Sequence, residues 1–240
     1  MIAVDNVGGI TSTEFAQMAN QRRRAIIPVG SLEQHGDHLP LATDLIIADY
    51  VAKKVAERTS SFVFPPIHYG ISVEHSPLFN VSLRYSTLID TIQDISASLS
   101  EAGLRRVFYI NGHHGNSGAM QYIMHDYHHR VSEKDFGAFS LNYWNVADIE
   151  FDHGGETETS LMLAIDHRAV QMNKAHPGAV KQSKSKRAYQ TFTNNPCSFP
   201  KITENGIWGD PTNARANKGE ELLELIISNL SIVIVELDTL

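Results

Sequence analysis

The chain has a single cysteine, Cys197, in 240 residues. A disulfide framework within the chain is excluded, and one thiolate cannot build a cysteine zinc site. No apolar run approaches the length that crosses a bilayer, so no membrane role is expected. The first residues lack the charged and apolar regions of a secretory signal. Positive charge is not in excess either. The formal net charge is −7, which argues against nucleic acid as a partner. The one basic stretch, 181–187, is diluted by Ser and Gln and reads as a solvated loop. No internal repeat and no domain boundary stands out. What remains is a cytoplasmic protein with one domain over residues 1–240, 42% hydrophobic, 20% charged and long enough for a sizeable core.

Histidine is what the chain does have. Its 12 histidines cluster: His35 with His38, His113 with His114, His125 with His128 and His129, and His153 near several acids. Such clustering points to metal binding or proton transfer.

The apolar run Ala25 to Val29 predicts a buried strand that breaks at Gly30. Glu33 and His35 follow, two residues apart, and so point the same way in extended chain. Asp44 opens a helix to about Arg58, with Leu45, Ala48, Ala52 and Val55 on one face. A carboxylate there reads equally well as an N-cap. Further strands are expected over 61–67, 107–110 and 138–143. Pro65 and Pro66 mark an edge or an end of the first of these. Helices are expected from Ser12 or Thr13, from Ser86 or Thr87 with Asp90 in a capping box, over 119–130, through Leu161 to Ile165, and from about Lys218. Arg22 to Arg24 read as a solvated helix end or as an anion or subunit contact. The loop 68–77 reads as a polar rim, and 174–212, with four prolines, as irregular. Strands alternating with helices predict an α/β protein, a three-layer α/β/α sandwich with a mostly parallel central sheet. Sites in such sheets form at the C-terminal ends of strands.

Three polar clusters fall at such ends. They bring Glu33, His35 and Asp44, then His113, then Glu158, with His153 nearby. Each has a plain alternative: Asp44 as a cap, His113 and His114 as loop residues, Glu156 and Glu158 as first-turn charges favoured by the helix dipole. Together they make a sulfur-free set of carboxylates and imidazoles suited to zinc, manganese or ferrous iron. A bridging carboxylate can hold two such ions, and water on them loses its proton near neutral pH and can attack a carbonyl. Asn111 and Asn116 could orient the ligands from behind.

Three segments, Gly30 to Gly36 continuing through Thr43-Asp44, Asn111 to Asn116, and His153 to Ser160, resemble the signature segments of the creatininase (creatinine amidohydrolase) family. Gly206 to Thr212, with Ala216 and Lys218-Gly219, resembles a fourth. The resemblance implies a metal-dependent amidohydrolase acting on a non-peptide or unusual C–N bond, an α/β/α fold and a ring-like homo-oligomer, often a hexamer. It implies that Glu33, Asp44 and His113 hold one ion, that His35 and Asp44 hold the second, and that His153 shuttles a proton to the leaving nitrogen, assisted by Glu156 or Asp152. In creatininase proper a glutamate ligand stands where this chain has Gly115. Glu158 is the candidate replacement, with Glu156 behind it. An aromatic residue is replaced by His114. Trp144 is retained, but a second tryptophan is missing from the short segment 145–152. His114 and Trp144 are therefore the residues expected at the substrate, a small-molecule amide, and creatinine itself is disfavoured. The competing substrates are a cyclic amide, a formamide on a pyrimidine nucleotide and a modified peptide. The rival from another class is a metal-binding scaffold without catalysis.

Overall fold

The computed structural model describes residues 6–123, 135–150, 152–178 and 195–239. The helix expected beyond residue 123, the histidines His125, His128 and His129, and the basic stretch 181–187 lie outside the described residues.

Four parallel strands form the sheet: β1 (Arg24–Val29), β2 (Phe62–Val63), β3 (Arg106–Asn111) and β4 (Gly137–Asn142), in the order β2-β1-β3-β4. Val29 pairs with Asn111, and Asn111 with Asn142. The central strands therefore end level, and the chain leaves all of them at one edge. Both faces are covered, so the strands are apolar almost throughout. Alternate residues divide between two cores. Ile26, Phe108, Ile110 and Leu141 face one, and Ala25, Ile27, Val107, Tyr109 and Ala138 face the other. On the first side lie α2 (Thr43–Thr59), α4 (Glu156–Asp166) and α5 (Ala216–Asp238), through Ile47, Val51, Val55, Leu161, Leu223, Ile226 and Leu230. On the second lie α1 (Ser12–Ala19) and α3 (Tyr85–Glu101), through Phe15, Met18, Leu88, Ile92 and Leu99. This is the expected layered α/β sandwich. Among the described residues no helix is long and apolar enough to cross a membrane.

Several local expectations are corrected. Thr11, not Ser12 or Thr13, caps α1: it accepts from the Glu14 amide, and the Glu14 carboxylate accepts from its own amide at 2.7 Å. The box expected at Asp90 does not form, because α3 begins at Tyr85 after Arg84 without a side-chain cap. The strand expected over 61–67 shrinks to two residues. Pro65 and Pro66 offer no N–H to the ladder, and pairing resumes only as a single bridge from Ile67 to Val29. That strand is the sheet edge, as the prolines suggested.

The N-terminus of α2 is seated between the ends of β1 and β3. The contact is backbone to backbone. A Cβ on Gly112 would lie 2.4 Å from the Asp44 carbonyl oxygen, and one on Gly30 would lie 2.6 Å from the Leu45 Cα. Glycine at these two positions lets the helix descend far enough to put Asp44 inside the molecule.

Gly112→Ala tests this packing. Removing glycine normally stabilises by about 0.4–1 kcal/mol through the unfolded chain. Here the clash is against backbone and should prevail, giving a net loss of roughly 1–3 kcal/mol. Urea denaturation reads the sign, and a stabilised variant would contradict the close approach.

Candidate metal centre

Glu33, His35, Asp44, His113, His153 and Glu158 come together at the C-terminal edge of the sheet, all buried. Glu33 and His35 leave β1 in extended chain. His113 follows β3, and Glu158 sits in the first turn of α4. Asp44 is not the cap of α2. Ala42 holds that place without a side-chain bond, and Asp44, in the helix's first turn, turns its carboxylate inward. Its Oδ1 lies 3.2 Å from His35 Nε2, and its Oδ2 lies 3.1 Å from His113 Nδ1. The two oxygens thus serve two donor sets, Glu33–Asp44–His113 and His35–Asp44–Glu158, in each of which the donor atoms lie within 4.8 Å of one another.

Three oxygens in this cluster, Glu33 Oε1, Asp44 Oδ2 and Glu158 Oε1, are buried with no well-aligned hydrogen bond among the described residues. Buried carboxylate oxygens left this way are costly unless a cation meets them. Nitrogen and oxygen donors, without sulfur, suit the hard and borderline divalent ions. The residues present therefore fit a pair of divalent cations.

The charges of the side chains show the same demand. Burial opposes a proton on His35, but the Asp44 carboxylate, with Glu158 and Glu33, outweighs it and pushes the pKa up to about 10. His113 is raised in the same way, burial opposing and Glu33 and Asp44 prevailing. Burial would raise Asp44, yet His35 and His113 hold it well below the carboxylate range. Burial pushes Glu158 up to about 8. Without metal, protons on two imidazoles supply the positive charge that the carboxylates call for.

The shell behind the donors is specific. His35 Nδ1 donates to the Glu33 carbonyl at 3.1 Å, leaving Nε2 for the site. His113 Nε2 lies 2.8 Å from the Ile71 carbonyl oxygen. Such bonds fix the tautomer and orientation of a ligating ring. Asn111 and Asn116 hold the backbone around His113. The Asn111 side chain accepts from the His113 amide at 3.1 Å and donates to the His113 carbonyl at 2.8 Å, while Asn116 ties Ile71 N to the Gly30 carbonyl.

His153 is buried beside His35, with ring centroids 4.3 Å apart. Burial and the like charges of His35 and His75 hold its pKa well below the ordinary value, so the ring is neutral. Its Nε2 lies 2.9 Å from the Gln34 carbonyl, to which it donates, and its Nδ1 faces Glu33 Oε1 at 3.8 Å. The fourth sequence segment holds this residue in place: His153 and Trp208 exchange both backbone hydrogen bonds, at 3.0 and 2.8 Å. Glu156 is not beside His153. It sits on the outer side of α4 and pairs with Lys218 at 2.7 Å. Asp152 accepts from the amides of Thr157 and Glu158 and so caps α4. Of the two acids, Glu158 lies with His35 and Asp44, and Glu156 lies with Lys218. His114 is half-buried, with its ring centroid 6.2 Å from that of Trp144. Trp144 itself is buried in the core against Tyr143.

Sequence reasoning passed over Gln34, Glu74, His75 and Phe199. Gln34 Nε2 donates to the Gly206 carbonyl at 2.8 Å and to His75 Nδ1 at 3.1 Å, which leaves the His75 Nε2 proton facing Glu33 Oε1 at 3.0 Å. Phe199 covers the rings of His75 and His153 at 4.5 and 4.9 Å. The loop 68–77 is therefore no rim: Glu74 and His75 are buried in the centre. The available signal was an acid next to an imidazole, in the loop following strand β2, where the other clusters also sit.

Known proteins resemble the chain over nearly its whole length. A family model described as Creatininase: Creatinine amidohydrolase matches residues 9–234. Creatinine amidohydrolase of Pseudomonas putida is 31% identical over 263 residues, which covers 96% of each chain. Mycofactocin precursor peptide peptidase of Mycolicibacterium smegmatis is 30% identical over 227 residues, 92% of this chain and 87% of that one. A solved structure described as creatininase Mn has a TM-score of 0.84 at 28% identity and covers 96% of this chain and 97% of its own. The matched stretch takes in every residue of this cluster, and the chain belongs to the creatininase family.

Proposed function

We propose that the chain is a metal-dependent amidohydrolase that cleaves a C–N bond other than an ordinary peptide bond, in a cyclic amide, a formamide or a modified peptide. The observation that carries this reading is Asp44, whose two oxygens each face a separate donor set. Glu33, Asp44 and His113 would hold one divalent ion, and His35, Asp44 and Glu158 the other. The donor chemistry supports Zn2+ or Mn2+, with Fe2+ as the third choice. A bound pair supplies Lewis acidity and a water acidic enough to attack a carbonyl at neutral pH.

The protein's own groups handle the proton. His153 is neutral, with Nε2–H given to Gln34 and Nδ1 on the Glu33 side of the site. It accepts a proton at Nδ1 and returns it to the leaving nitrogen as general acid. Glu156 has no part in this step, being paired with Lys218. His114 and Trp144 are the groups proposed near the substrate. The short segment 145–152 has no second tryptophan, which favours a substrate other than creatinine. A ring-like homo-oligomer, by analogy with a hexamer, and a cytoplasmic location complete the reading.

Metal content per chain is the first measurement, on protein purified without a metal-binding tag. Wild type should carry about two ions and turn over members of an amide and formamide panel; Asp44→Ala should lose both metal and turnover. Full activity in that variant would sink the bridged site. His153→Ala should keep its metal and lose about 10²–10⁴-fold in kcat; a variant depleted of metal instead would make His153 a ligand. Metal binding should also release protons, because the imidazoles raised above their ordinary pKa, His35 and His113, are protonated in the metal-free protein. Affinity should therefore weaken as pH falls. Titration calorimetry in buffers of different ionisation enthalpy reads the proton count, and a count of zero would contradict the assignment of these rings as ligands.

A further inference from the structure

Glu74 is not among the donors considered so far, yet it is buried, with 8% of its surface exposed. Its Oε1 lies 3.6 Å from His113 Nε2. The loop that carries it is tied into the centre on both sides. Ile71 N donates to Asn116 Oδ1 at 2.8 Å, and the Ile71 carbonyl meets His113 Nε2. The Cys197 amide donates to the Val73 carbonyl at 3.0 Å from the far side.

Gly115 explains how the loop comes so near. A Cβ there would lie 2.1 Å from the Ile71 carbonyl oxygen, 2.5 Å from His113 Nε2 and 2.6 Å from Glu74 Oε1. No side chain at 115 could coexist with the loop in this position. The bare glycine and the entry of the Glu74 carboxylate are one packing event. The space beside His113 that a side chain from 115 would enter is filled instead by an acid from residue 74.

Two acids crowd one imidazole here. Glu33 and Glu74 both approach His113 Nε2, at 3.2 and 3.6 Å, in a buried setting where like charges are poorly screened. A carboxylate brought beside His113 and Glu33, whose Oε1 has no well-aligned hydrogen bond, is placed for a cation.

We propose that Glu74 is a further acidic donor of the metal centre, serving the half formed by Glu33, Asp44 and His113 from the space left by Gly115. It strengthens binding of that ion, either directly or through a water on it, and leaves the His35–Asp44–Glu158 half unaffected. This rests on the metal-dependent reading above.

The test is metal titration of wild type and Glu74→Gln, each stripped of metal and reloaded with Zn2+ or Mn2+, with elemental analysis after dialysis. The amide keeps the volume and removes the charge. One ion should bind as in wild type, and the other about 10–100-fold more weakly. The urea midpoint of the metal-free variant should match metal-free wild type, which a merely structural role would not allow. Should Glu74→Gln not fold, Glu74→Asp retracts the carboxylate by one methylene and should show the same selective weakening. Two ions at wild-type affinity in the variant would overturn this inference alone. A wild type that takes up no ion would overturn it together with the metal-dependent reading.

Discussion

The structure turns on negative charge buried at the end of a sheet. Glu33, Asp44 and Glu158 have almost no contact with water. Taking a carboxylate out of water costs several kcal/mol even after relaxation, and a lone pair of opposite charges often fails to repay it. This centre answers by sharing: each oxygen of Asp44 meets a different imidazole, and both imidazoles are driven toward the protonated state. Protonated histidine is a substitute with poor geometry, because it leaves three oxygens without a well-aligned donor. A divalent ion accepts several oxygens at once and places no demand for a hydrogen in line. The carboxylate oxygens at this sheet edge are thus arranged as a divalent ion would need them.

Holding that shape falls to the backbone. Level ends of β1, β3 and β4 deliver the loops to one edge. Gly30 and Gly112 let α2 descend, so that Asp44 arrives from a helix rather than from a loop. Donors on helices and strand ends, pinned by Asn111 and Asn116, are more precise than donors on free loops. The loop residues that do reach the centre, Glu74 and His75, are themselves tethered through Ile71 and Gln34.

How much of this could be read from the chain depends on the range of each interaction. The strands and main helices follow from local periodicity, and they appear close to where it puts them. Caps do not, since Thr11 and Ser12 are equally good by type and only packing chooses the phase of α1. Asp44 was legible as a helix-start carboxylate, but its inward turn depends on two glycines from other strands. Glu156 and Glu158 are two residues apart, about 200° around a helix, so only one could face the centre; which one is set by how α4 packs. Glu74 and His75 were marked only by being an acid beside an imidazole in the loop after β2. Their partners are tens of residues away, and the room for Glu74 depends on the missing side chain at Gly115.

A site that stored or sensed metal would also need the carboxylates and the two ligating imidazoles, so those alone do not separate storage from catalysis. His153 does. Its ring is held by Gln34 and by the strand-like pairing with Trp208, and covered by Phe199. That is considerable structure around an imidazole that burial and its neighbours keep neutral. A structural core residue would do as well with an apolar side chain, without the penalty of a polar ring in this environment. Hydrolysis of a C–N bond gives the ring a purpose, because an amine leaves poorly as an anion and needs a proton as the bond breaks. A neutral imidazole at the edge of a carboxylate-rich centre can receive that proton and return it within one turnover. The features that make His153 an unsuitable permanent cation are the ones that make it a usable proton carrier.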